Sequence, residues 1–141
     1  MDEPKRLAVA VVGTGILGRR HARVFSEHPE TELVSVMDVN FELAKNVAAE
    51  YGGKAYGSLE MMLHSEKPDI VSVATPDFAH TEAVIGSLRS GCHVLVEKPL
   101  TTDVGEAEAI VREAERVGRT VMVNYSQRFV SDFSWIKTTV D

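Results

Sequence analysis

The chain has 141 residues, 44% hydrophobic and 26% charged, with a formal net charge of −6; that is enough for one domain with a proper core and too short for two of ordinary size. The acidic balance and scattered Lys and Arg exclude the basic footprint of a nucleic-acid binder, and the apolar run Leu7–Val12 falls far below the roughly 20 residues of a membrane span. One cysteine, Cys92, excludes an internal disulfide, and the glycines after Leu7–Val12 exclude a secretory signal, so the cytoplasm is the expected compartment.

In chain order, strand-like runs are expected at Leu7–Val12, Leu33–Met37, a weak one at Lys54–Tyr56, then Ile70–Ala74, His93–Val96 and Thr120–Asn124. Each is nearly continuous in apolar residues, the signature of strands covered on both faces. Amphipathic helices alternate with them. Leu43, Ala44, Val47, Ala48 and Tyr51 share one helical face, as do Ala107, Ile110, Val111, Ala114 and Val117. Gly52, Gly91 and Gly118 fall just past helical stretches, where chain reversal favours glycine. Such alternation predicts right-handed crossovers and a parallel sheet, an α/β doubly wound Rossmann fold of strand order 3-2-1-4-5-6. Residues 1–125 are expected to form the dinucleotide-binding domain, and residues 126–141 a connecting helix. Its Phe133, Trp135, Ile136 and Val140 call for a packing partner.

The run Gly13-Thr14-Gly15-Ile16-Leu17-Gly18 follows the first strand and opens a helix. In this G-x-G-x-x-G pattern the first glycine makes the tight turn, the second admits a pyrophosphate against bare backbone, and the third lets helix and strand approach. The helix N-terminus adds free N–H groups and the positive end of its dipole. Asp38 ends the second strand, 20 residues beyond Gly18. A carboxylate there can accept from the adenosine ribose hydroxyls and would repel a 2′-phosphate, so NAD(H) is favoured over NADP(H). The plainer alternative for Asp38 is a helix cap, a task Asn40 can perform itself. Arg19 and Arg20 stand in the first helical turn, where they either touch a pyrophosphate or are solvated.

Three further stretches resemble one family, the Gfo/Idh/MocA oxidoreductases: the loop extended through His21 (GTGILGRRHA); Ala74-Thr75-Pro76 with His80 and then Gly91 to Leu100, including Glu97-Lys98-Pro99; and Val123-Asn124-Tyr125-Ser126-Gln127-Arg128-Phe129. With Asp38 they cover residues 7 to about 130. The resemblance implies that Lys98, at the carboxyl end of the fifth strand, faces the nicotinamide and a substrate hydroxyl, orienting its oxygen and assisting proton movement. It also implies a cis bond at Pro99, an ion pair from Glu97 to Lys98, and contacts of Thr75 and Pro76 with the cofactor. His80 has two open readings, nicotinamide contact or helix cap, and His21 is expected to pack behind the loop. Asn124 and Arg128 are implied near the nicotinamide pocket, with an inter-domain ion pair as the second reading for Arg128. A metal is not expected, since no His/Cys/Asp/Glu cluster has ligand spacing. Cys92 is expected in the core or a loop.

Members of this family continue into a second α/β domain that carries an Asp and a His separated by three residues, which residues 100–141 cannot supply, and Ser131 stands where a proline is usual. The chain is therefore expected to be the cofactor half of a sugar or polyol dehydrogenase, inactive or weak alone, with possible self-association through the face meant for the second domain. The alternative is a non-catalytic NAD(H)-sensing module. A methyltransferase shares the glycine loop and the acid, but predicts neither Glu97-Lys98-Pro99 nor this sixth strand.

Overall fold

Strand β1 (Leu7–Val12) lies inside the sheet, and its position accounts for its unbroken apolar composition. Ala10 and Val12 face one core while Val11 faces another, as alternation along a strand requires. Around it stand β2 (Thr31–Met37), β3 (Lys54–Tyr56), β4 (Ile70–Val73), β5 (His93–Glu97) and β6 (Val121–Asn124). All pair in parallel in the order β3-β2-β1-β4-β5-β6. The doubly wound sheet expected from the sequence is the sheet observed. The structure, a computed structural model, describes residues 5–140; residues 1–4 and Asp141, at the outer ends of the two expected segments, lie outside it.

Helices α1 (Ile16–Glu27) and α2 (Phe41–Tyr51) supply Ala22, Ala44 and Val47 to a core with Val11, Leu33 and Val36. Helices α3 (Leu59–Glu66), α4 (His80–Arg89) and α5 (Val104–Val117) supply Met62, Val84, Leu88 and Ile110 to the opposite core, against Val71, Val73, Val94 and Val96. Local chemistry sets the helix ends. Asn40, Ser58 and Asp103 each accept a backbone N–H at the start of α2, α3 and α5, respectively. Gly118 closes α5 in the left-handed region, φ +64°.

Strand limits differ from the sequence reading in instructive places. β2 starts two residues early, because Thr31 and Glu32 pair with Leu7 and Ala8 and the Thr31 hydroxyl is satisfied by the Phe25 carbonyl at 2.7 Å. β5 runs on through Glu97, which pairs with Asn124. β4 stops at Val73, leaving Ala74 to begin the loop, and β6 starts at Val121. Beyond β6 a short 3-10 turn (Ser126–Phe129) leads into α6 (Ser131–Val140), every residue of which is exposed. Among the described residues no helix is long and apolar enough to cross a membrane.

Helices α4 and α5 are also bridged by charge: Glu113 accepts from Arg89 at 2.9 Å and from Arg116 at 2.7 Å. The two guanidiniums, Arg116 first, hold the Glu113 carboxyl far down, at about 2 against an ordinary 4.5. A depressed carboxyl contributes stability that is present above its unfolded value and lost as pH falls through its folded one. Thermal unfolding should therefore shift downward as pH drops from about 4.5 to about 2. Glu113→Gln should flatten part of that descent, most visibly at low salt.

Candidate functional site

The carboxyl ends of β1, β2 and β4 open onto a crevice, as expected where strand order reverses in a doubly wound sheet. Gly13 turns the chain out of β1 at φ +86°, and a Cβ there would meet the Thr75 nitrogen at 2.7 Å. A Cβ on Gly18 would meet the Gly13 carbonyl oxygen at 1.7 Å, so only glycine lets α1 seat on the loop. Gly15 is the opposite case. Nothing lies within 4 Å of its Cβ position, so the backbone is bare toward the crevice. Gly15 is also the N-cap of α1 and makes no side-chain capping bond, so no cap from Gly15 competes with an anion for the N–H groups of the first turn.

Asp38 closes the other side. Its Oδ2 accepts from the Thr14 backbone N–H at 2.8 Å and from the Thr14 hydroxyl at 3.0 Å, while Oδ1 accepts from the Asn40 N–H at 2.9 Å. The carboxylate is thus fixed in direction with lone pairs to spare. Helix α2 is capped by Asn40, whose Oδ1 accepts from Glu42, so Asp38 is released from that task. The crevice has a volume of about 650 Å³ and includes Gly13, Gly15, Ile16, Leu17, Asp38, Thr75 and Pro76 in its walls. In that wall the Thr75 hydroxyl is buried without a hydrogen-bond partner among the described residues. An open glycine cradle, an uncapped helix start, a fixed acid and an orphaned hydroxyl together suit a dinucleotide diphosphate and its ribose.

A second cavity, about 430 Å³, lies at the ends of β5 and β6 and is lined by Lys98, Asn124, Tyr125, Ser126, Gln127 and Arg128. Lys98 is exposed there and has no hydrogen bond or ion pair among the described residues. The Lys98–Pro99 peptide bond is cis.

A family model for the "Oxidoreductase family, NAD-binding Rossmann fold" matches residues 7–125. The chain belongs to the Gfo/Idh/MocA oxidoreductase family. D-glucoside 3-dehydrogenase of Escherichia coli (strain K12) is 31% identical over 136 residues, 95% of this chain and 39% of that protein. Inositol 2-dehydrogenase of Rhodococcus jostii (strain RHA1) is 33% identical, covering 100% of this chain and 39% of that protein. The crystal structure of GenD2, from gentamicin A biosynthesis, in complex with NAD superposes with a TM-score of 0.87 at 30% identity, over 92% of this chain and 37% of that one. The chain thus spans about two-fifths of the length of the curated relatives it matches. As the Gfo/Idh/MocA nucleotide-binding domain, it has NAD(H) as its cofactor.

Several residues implied by the Gfo/Idh/MocA resemblance take other places than expected. Glu97 makes no ion pair with Lys98. Its buried carboxylate accepts instead from His21 Nε2 at 3.1 Å and from the Asn124 amide at 2.7 Å, so in this arrangement Glu97 and Asn124 serve each other. His80 is 1% exposed, its Nδ1 2.8 Å from the Pro99 carbonyl and its Nε2 3.0 Å from the Thr75 carbonyl. It is therefore not a solvated cap. Arg19 pairs with Glu50 on α2, and Arg20 is exposed. Burial pushes the Cys92 thiol up to about 11, in keeping with its expected place in the core.

Among the lining residues not named as site residues from the sequence are Val39 at 89% and Phe78 at 81% exposure. Both follow a flagged residue closely, and their exposure on the crevice lips is visible only once the loops are folded. Because Thr14 aims Asp38, Thr14→Val should weaken NADH about five- to tenfold, roughly the 1 kcal/mol of one hydrogen bond. Fluorescence titration would measure this, with unfolding checked in parallel.

Proposed function

We propose that this domain prefers NAD(H) to NADP(H) and serves hydride transfer at a hydroxyl-bearing carbon of a sugar or polyol, with Lys98 as a catalytic residue. The observation that carries the preference is the Asp38 carboxylate, fixed by Thr14 and Asn40 beside the glycine cradle. Its spare lone pairs suit the two ribose hydroxyls, and it would repel a 2′-phosphate. Neither Val39 nor Asn40 offers a cation to offset that charge. The relatives' names, a D-glucoside 3-dehydrogenase and an inositol 2-dehydrogenase, support a polyhydroxylated substrate.

Bound nicotinamide supplies the hydride acceptor. Around it the chain's own groups bind and orient. Gly13 to Gly18 hold the diphosphate through backbone N–H groups, and Thr75 and Pro76 support the ring from the β4 loop. Lys98 donates to the substrate oxygen, holding it in place and favouring the negative charge that grows as the C–H bond breaks. Lys98 also helps move the proton from that oxygen. Asn124 and Arg128 border the cavity that receives the substrate carbon. An exposed, unpaired lysine at a ligand edge favours this catalytic reading over a purely sensing one.

Two measurements test it. In titrations, NADH should bind at least tenfold tighter than NADPH, a gap of about 1.4 kcal/mol, and Asp38→Ala should close most of it. Equal affinities in the wild type would contradict the preference. The oxidised nicotinamide is cationic and the reduced one is not, so a nearby ammonium disfavours NAD+. Lys98→Ala should therefore raise NAD+ affinity relative to NADH about threefold, whereas an unchanged ratio would place Lys98 away from the ring.

A further inference from the structure

Lys98 itself has no partner among the described residues, yet the residue on each side of it is tied to a histidine, half-buried His21 on one side and buried His80 on the other. On one side the Glu97 carboxylate, 7% exposed, accepts from His21 Nε2 at 3.1 Å and from Asn124 Nδ2 at 2.7 Å. The other nitrogen of His21 is 2.8 Å from the Ser72 hydroxyl on β4. A carboxylate out of water is costly unless donors meet it, so this group has one low-energy arrangement. On the other side the Pro99 carbonyl lies 2.8 Å from His80 Nδ1, and His80 Nε2 lies 3.0 Å from the Thr75 carbonyl.

The two histidines reach the same three-residue segment from different parts of the cofactor site. His21 is on α1, three residues past Gly18, so its ring joins the phosphate-binding helix to the end of β5. His80 opens α4 and joins the Thr75 turn, a wall of the crevice, to the peptide after Pro99. We infer that His21 and His80 are positioning residues for Lys98, anchoring Glu97 and Pro99 so that the lysine stands at a fixed height over the nucleotide. Only the lysine's four-carbon stem is then left to move. This inference rests on the catalytic reading of Lys98 above, but the anchoring is testable separately.

The test uses His21→Gln and His80→Gln, because an amide can replace one ring contact but not two. Each variant is made with and without Lys98→Ala. Affinities for NAD+, NADH and ADP-ribose are measured, with amide exchange of Glu97, Lys98 and Leu100. Exchange at those amides should accelerate at least tenfold relative to β1 in each histidine variant. The NAD+ to NADH affinity ratio should rise about threefold, as for Lys98→Ala, with no further rise when the lysine is already gone. ADP-ribose, which lacks the ring, should bind within twofold of wild type.

Unchanged exchange overturns the inference. So does a ratio change of the same size without Lys98, or ADP-ribose affinity falling as far as NADH, since each marks a fold-wide effect. If Lys98→Ala alone leaves the ratio unmoved, the catalytic reading of Lys98 fails while exchange still decides the anchoring. Should His80→Gln not fold, His21→Gln and Glu97→Gln carry the same comparison.

Discussion

The seating of α1 on the end of β1 is the constraint from which the rest of the site follows. It depends on the absence of two side-chain carbons, since a Cβ on Gly18 would run into the Gly13 carbonyl and one on Gly13 into the Thr75 backbone. With both missing, the helix begins directly over the strand end and its uncapped N-terminus faces the crevice. Thr14, caught between the two glycines, then reaches Asp38 with both backbone and hydroxyl. These close approaches thus set the glycine turn and, through Thr14, the direction of the Asp38 carboxylate.

The same helix extends that order across the sheet. His21, on its second turn, meets Glu97 on β5, and Glu97 meets Asn124 on β6. A hydrogen-bonded set of Ser72, His21, Glu97 and Asn124 therefore links α1 to the ends of β5 and β6. Strands β4 and β5 between them carry Ser72 and the apolar Val71, Val73, Val94 and Val96. A parallel sheet buried on both faces has little room for polar atoms, which makes the few present informative about function.

Much of this was legible in the sequence because the signals were local. Unbroken apolar runs marked doubly covered strands, three glycines marked a turn, and Asp38 stood out as the acid just past β2. The Asn40 cap was read correctly because a cap is decided within three residues. What stayed hidden depends on residues far apart in the chain. The partner of Glu97 is His21, 76 positions away, so adjacency to Lys98 suggested a pair that does not form. His80 was open between two roles, and its contacts with the Pro99 and Thr75 carbonyls were not legible because those loops are brought together only by the folded sheet. The early start of β2 was missed because Thr31 and Glu32 look polar, although their neighbours on β1 provide the pairing.

The most direct test of the central claim is an amide chemical-shift map of the labelled chain on addition of NADH. The account predicts the largest shifts at Gly13 to Gly18, at Asp38 and Val39, and at Thr75, saturating together with one binding curve. Shifts centred elsewhere on the fold, or none at the glycine loop while the protein is folded, would contradict it.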